Sequence, residues 1–174
     1  MQYDLEHVTP VVSGGLFPDS FLETFRRGVS TADSDALLIR LKELLESFTT
    51  SGSPNEAHTE DDLIWPTLHA LGWTEHLRQQ NLSPSGRSVV PDGILFSTKE
   101  DKARANKRDR DFERYNDGIC IVESKRWGRP LDRKGKGEDD TVTPSFQILN
   151  YLSRVGVVTD ERVRWGILTN GRIY

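Results

Sequence analysis

One cysteine in 174 residues excludes two classes of protein at once. Cys120 has no partner for an internal disulfide, and without Cys or His neighbours at ligand spacing it cannot build a zinc site. A lone thiol inside an apolar run reads as a core residue. Histidine is scarce as well: His7, His58, His69 and His76 show no metal-ligand spacing and no serine elbow accompanies them, so nucleophilic hydrolase chemistry has no support. Positive charge is not in excess either. A formal net charge of −4 argues against a chain that clings to nucleic acid by bulk electrostatics, and any phosphate contact must be local. No stretch approaches the ~18 apolar residues of a membrane span. The opening "MQYDLEHVTP" lacks the basic start and apolar run of a signal peptide, so a cytoplasmic protein is expected.

What is present suffices for one compact domain, with 35% hydrophobic residues. Residues 1–53 read as an N-terminal helical arm. It has a short helical stretch around "DSFLETFRRG", then "SDALLIRLKELLESF" with Leu37, Leu38, Leu41, Leu44 and Leu45 on one face. The breaker-rich "TTSGSPNEAH" separates it from the core, 54–174. There "NEAHTEDDLIWPTLHALGW" predicts a helix kinked or restarted at Pro66 and stopped at Gly72. Strands are expected at "HLRQQNL" and "RSVVPDGILF", the latter alternating at period two. Residues 97–116, rich in both signs of charge, read as a solvated insertion. "GICIVESK" reads as a strand buried on both faces whose charged tip reaches a cleft. "TPSFQILNYLSRVG" predicts a helix with Thr143 as cap, Pro144 at its first position and Gly156 as its stop. "RVRWGILTNGRIY" predicts a strand, an Asn170-Gly171 hairpin turn and the start of a returning strand, as expected for the N-terminal piece of a longer protein. The order implies an α/β fold, a mixed sheet with helices on both faces.

The chemistry concentrates at a few positions. Residues two apart on a strand share a face, so Glu123 and Lys125 project together beyond Ile119 and Ile121. Unpaired buried charges cost several kcal/mol, so such groups normally have a partner, a metal or a task. Asp92 on the preceding strand is the natural third member. Two carboxylates from adjacent strands make the hard oxygen site that magnesium prefers, with the Ser124 main-chain carbonyl as a further ligand. A lysine beside that site stabilises developing phosphate charge or helps deprotonate the attacking water. An acid, any residue and a lysine occurs also at Glu100 to Lys102 and Asp132 to Lys134. Only Glu123 to Lys125 follows an apolar strand and an upstream Pro-Asp.

"PDG" at Pro91 to Gly93, "ESK" at Glu123 to Lys125 and "QxxxY" at Gln147 to Tyr151 resemble the PD-(D/E)XK nuclease superfamily, over roughly residues 54–174. The strings "LGW", "ESKRWGRPLD", "QILNYL" and "WGILTNGRIY", in that order, are most similar to nuclease domains at the N-terminus of restriction enzymes fused to a DNA methyltransferase. The resemblance implies a restriction-endonuclease-like core, Mg²⁺ (with Mn²⁺ as substitute) on Asp92 and Glu123, and Lys125 as the catalytic lysine. It places Gln147 and Tyr151, four apart on one helical face, at the same pocket. It also implies a further carboxylate from the first core helix, for which Glu60 and Glu56 both qualify, with Glu60 favoured. DNA is the implied partner, with a methyltransferase and target-recognition region in the same longer chain. Arg126, Arg129 and Lys134 are the candidate phosphate contacts. Two further readings stand beside this one: a nuclease-like fold that has lost cutting and serves as a DNA-binding or assembly module, and a nuclease acting on RNA or structured DNA.

Overall fold

The computed structural model describes residues 31–48, 52–86, 89–135 and 142–174. The helical stretch expected around residues 19–28 lies outside them. The chain divides into two compact units, Met1–Leu38 and Ile39–Tyr174, and the second contains every element that bears on the site.

Helix α1, Thr31–Ser47, carries the leucine pattern, yet Leu38, Ile39 and Leu45 are about half exposed. The next helix has three parts: α2, Glu56–Thr59; a π turn, Glu60–Ile64; and α3, Trp65–Ala70. Asn55 caps it by accepting from the His58 main-chain N–H. Its interruption has a covalent cause. Pro66 has no N–H to offer the carbonyl four residues back, and in the turn before it the Trp65 N–H bonds to Glu60 O, five residues back. The helix continues instead of breaking, and Gly72, with φ +96°, lies just beyond its end.

Four strands form one mixed sheet in the order β1-β2-β3-β4: His76–Arg78, Gly93–Leu95, Cys120–Ser124 and Trp165–Thr169. The first two junctions are antiparallel and β3 with β4 is parallel. The strand expected over "RSVVPDGILF" is shorter than its alternation suggested. Proline at 91 removes a ladder donor, and among the described residues pairing before β2 takes the form of isolated bonds, Gln79 N–H to Asp92 O and Leu82 N–H to Val89 O.

Alternation along the strands divides the core in two. Ile94 and Ile121 face one side with Tyr115, Ala105, Ile148 and Val155; Leu95, Cys120 and Val122 face the other with Ile64, Trp65 and Leu68. Each such aliphatic side chain contributes roughly 1.5–3 kcal/mol on burial, and both faces are therefore covered by helices. The protein is α/β, a four-stranded mixed sheet between helical layers.

Three expectations are corrected. The charged segment 97–116 is not merely solvated: it folds as α4, Lys99–Asn106, capped by Thr98, then α5, Asp111–Arg114, and a 3₁₀ turn, Tyr115–Asp117. Its two apolar anchors, Ala105 and Tyr115, are fully buried, and the Tyr115 hydroxyl donates to Gln80 O at 2.7 Å. Helix α6, Pro144–Val158, starts as expected, although the Thr143 side chain makes no capping bond. It runs through Gly156 and ends at Thr159, where Asp160 and Glu161 take positive φ and the Glu161 N–H returns to Gly156 O. No returning strand follows Asn170-Gly171 among the described residues. The Asn170 N–H donates to Ile173 O at 3.3 Å across the turn, its side-chain oxygen accepts from the N–H groups of Arg172 and Ile173, and its amide donates to Arg129 O, so one asparagine secures the turn.

No helix among the described residues is long and apolar enough to cross a membrane.

Candidate cation site at the end of β3

Period-two alternation sends neighbouring residues at the tip of β3 into different layers. Glu123 shares the face of Ile121 and α6, whereas Ser124 shares the face of Val122 and the helix 56–70. Two sets of polar groups from two layers therefore meet at one strand end.

On the helix 56–70 side, Glu56 and Glu60 lie four residues apart, at the start of α2 and of the π turn. Asp92 enters just before β2. One carboxylate oxygen from each of Glu56, Glu60 and Asp92 falls within 4.8 Å of the others. The two first-helix candidates thus do not exclude one another. Glu60 is buried and Ser124 sits between it and Asp92. The Ser124 hydroxyl bonds to Glu60 Oε1 and, at 2.8 Å, to Asp92 Oδ2, while its N–H reaches the same Asp92 oxygen at 2.7 Å. Ser124 enters the site through these two donors, which the sequence offered no signal for. Burial pushes the Asp92 carboxyl up, and the hydrogen bonds from Ser124 and the Lys125 charge only partly offset it.

On the α6 side, Glu123 is 2% exposed. Its Oε1 accepts from Lys125 Nζ at 2.6 Å and its Oε2 has no hydrogen-bond partner. Burial, reinforced by the facing Asp92 carboxylate, pushes Glu123 up to about 8 even with the ammonium beside it. For Lys125, burial works against the charge, but Glu123, Glu56 and Asp92 together outweigh it and hold the ammonium above its usual range. Lys125 Nζ lies 3.9 Å from Glu56, so it bridges the two halves of the site. Gln147 donates to the Tyr151 hydroxyl at 2.9 Å, and burial raises that phenol, with Glu123 and Asp92 also acting on it. The pair expected from the helix spacing is brought to the Glu123 side.

The phosphate-contact candidates separate. The Arg126 main-chain N–H donates to Glu56 Oε2 at 3.3 Å and its side chain is exposed, as is Lys134. Arg129 turns inward instead, 2% exposed, with its guanidinium donating to the carbonyls of Pro130 and Arg133. It braces the loop and presents no surface to a ligand. Trp127 packs with Phe48 and its main-chain N–H donates to the Thr59 hydroxyl. Trp165 is 55% exposed.

The group Glu56, Glu60 and Asp92 is a set of carboxylate oxygens that fits a hard divalent cation, and Ser124 engages only one oxygen of Asp92. Glu123, expected as a ligand beside Asp92, is not one of the three, although one of its buried oxygens is left without a hydrogen-bond partner. Softer ligands play no part: Cys120 is buried on the opposite face from Glu123, its thiol pushed up to about 12 by burial. The glycine of "PDG" has a packing cause, since a Cβ on Gly93 would stand 2.3 Å from the Trp65 ring. Comparison with protein families, with curated proteins and with solved structures returns no match for this chain.

Proposed function

We propose that this chain is the nuclease core of a cytoplasmic, Mg²⁺-dependent DNA endonuclease of the PD-(D/E)XK type. In this reading it is part of a restriction-modification or phage-defence enzyme, with a restriction-endonuclease-like core and a methyltransferase and target-recognition region in the same longer protein. The observation that carries the reading is the approach of Asp92 to Glu56 and Glu60, with the Glu123–Lys125 pair across the same strand end. The sequence strings around Asp92, Glu123, Gln147 and Tyr151 supply the family assignment.

In this reading Glu56, Glu60 and Asp92 hold Mg²⁺ or Mn²⁺, and Glu123, one of whose buried oxygens has no hydrogen-bond partner, is available to join them. A divalent cation bound there supplies Lewis acidity to the scissile phosphate and eases ionisation of the attacking water. Ser124 keeps Asp92 and Glu60 aligned, its N–H donating to Asp92 and its hydroxyl to Glu60. Lys125, held by Glu123 at 2.6 Å, acts as a fixed cation for phosphate charge. Gln147 and Tyr151 border the Glu123 side and limit the space open to substrate. Arg126 and Lys134 are exposed and suited to backbone phosphates; the net negative charge leaves tight DNA capture to other regions.

The decisive experiment incubates the chain, or the longer protein that contains it, with plasmid DNA and Mg²⁺ or Mn²⁺, beside Asp92→Asn and Lys125→Ala. Metal-dependent strand cleavage lost in both variants is the expected result. Cleavage that survives both substitutions removes the proposed mechanism. DNA binding without cleavage by the unmodified protein identifies the binding or assembly module instead, and cleavage confined to RNA identifies the other nuclease.

A further inference from the structure

We infer that Arg78 is a positioning residue for the cation site, locking Glu60 so that one of its oxygens faces Ser124 and Asp92. This rests on the divalent-cation reading above and adds to it a residue that lies outside every motif.

Arg78 ends β1 and reaches across to the π turn. Its Nη2 donates to Glu60 Oε2 and its Nη1 to Asp61 Oδ1, each at 2.6 Å. Glu60 is 5% exposed and its other oxygen accepts from the Ser124 hydroxyl. Both ends of the carboxylate are therefore held, one by the brace and one by the site. The two carboxylates that Arg78 grips belong to successive residues, whose side chains diverge around a helix. A planar fork with several N–H groups spans that divergence, and a single ammonium does not.

The guanidinium is itself supported. It lies 5.5 Å from the centre of the Trp65 ring, on which His76 also stacks at 4.5 Å, and His76 Nδ1 lies 3.3 Å from His69 Nε2. Trp65 is fixed in turn by the space above Gly93, the residue after Asp92. Arg78 thus connects the helix that carries Glu60 to the strand that follows Asp92. Only the pair with Asp61 is open to solvent, with side chains 39% and 57% exposed, whereas the Glu60 side chain is 6% exposed. The open pair contributes little to stability, the loss of the other leaves a buried carboxylate without its cation, and fixing the orientation of a metal-holding carboxylate acts directly on affinity.

The test measures Mn²⁺ binding to the full chain by electron paramagnetic resonance of free Mn²⁺, without DNA, in the unmodified protein, Arg78→Met, Arg78→Lys, Asp61→Asn and Asp92→Asn. Arg78→Met is expected to weaken Mn²⁺ affinity roughly tenfold, the lower end of what loss of an outer partner costs a metal site. Arg78→Lys should recover part of that loss, and Asp61→Asn should stay within about threefold of the unmodified protein because the Glu60 contact persists. Affinity of Arg78→Met equal to the unmodified protein overturns the inference. If Arg78→Met does not fold, Arg78→Lys decides, and unmodified affinity in that variant overturns it. Unchanged Mn²⁺ binding in Asp92→Asn defeats the cation reading itself; loss there with no change at Arg78 defeats only the brace.

Discussion

The main-chain N–H of Ser124 donates to one oxygen of Asp92 at 2.7 Å, and the Ser124 hydroxyl lies 2.8 Å from that same oxygen. The hydroxyl's one hydrogen also serves Glu60, so a single small residue holds two acids from different elements in register. Ser124→Ala keeps the main-chain bond and removes the rest. It leaves an oxygen of buried Glu60 without its donor, which costs about 1–3 kcal/mol. Urea unfolding of the metal-free protein should show that loss with an unchanged slope, and Mn²⁺ affinity should fall as well. A variant as stable as the unmodified protein would show that Ser124 does not organise the pair.

Lys125 and Glu123 answer to opposite tests. Lys125→Ala is expected to lower the cleavage rate by at least about a hundredfold, the scale of losing a fixed charge at a phosphoryl centre. Mn²⁺ affinity should be retained or improved, since an ammonium near Glu56 and Glu123 competes with a metal for the same carboxylates. Single-turnover cleavage combined with metal titration separates the two effects. Joint loss of binding and cleavage would make Lys125 a structural residue.

The pH dependence of stability follows from the raised carboxyls. Burial pushes Glu123 up from an ordinary 4.5 to about 8, and burial raises Asp92 too. Between those limits the folded state holds more protons than the unfolded one. The stabilising contribution of a neutral Glu123 is then complete below about pH 4.5 and is lost as pH rises through about 8. Metal-free protein should therefore lose stability across that window, and Glu123→Gln should flatten the slope. His76, lowered by burial and by His69, acts oppositely below its ordinary range, so the glutamine variant is the control that assigns the effect. Saturating Mg²⁺ should restore stability chiefly at the alkaline end, by about 2.7 kcal/mol at a hundred times its dissociation constant. A flat metal-free profile would count against the buried carboxyl arrangement.

Gly93→Ala tests the packing beneath the site. The added Cβ would stand 2.3 Å from one Trp65 ring carbon and 2.9 Å from another. Overpacking of this kind costs about 1–3 kcal/mol, read as a lowered thermal midpoint. Pairing it with Trp65→Leu should make the combined loss smaller than the sum, because the two changes share one contact. Strict additivity would show that the ring does not bear on the glycine.

The local pattern determined a good deal unaided. The run around Ile121 and Val122 specified a strand buried on both faces, Pro144 marked the start of α6, and the four-residue spacing of Gln147 and Tyr151 specified one helical face. Such features depend on neighbours in the chain, whose periods of 2 and 3.6 are visible in a string. Other features depended on space alone. Charge between residues 97 and 116 concealed two anchors, Ala105 and Tyr115, because burial of a few residues leaves no periodic trace. Gly156 was legible as a helix stop and is not one, since the chain turns only where Asp160 and Glu161 adopt positive φ.

At the site, the sequence alone determined which acids and which lysine would crowd the strand end, because Asp92, Glu123 and Lys125 stand at or beside strand positions. It left Glu56 and Glu60 as rivals; folding brought both to Asp92, through a π turn set by a proline that cannot donate a hydrogen bond. Ser124 was expected through its carbonyl; its role as a donor, Arg78 and the Trp65 contact came only with tertiary structure. Alternation sends Glu123 and Ser124 into opposite layers, and which helix covers each layer is settled by packing between segments far apart in the chain.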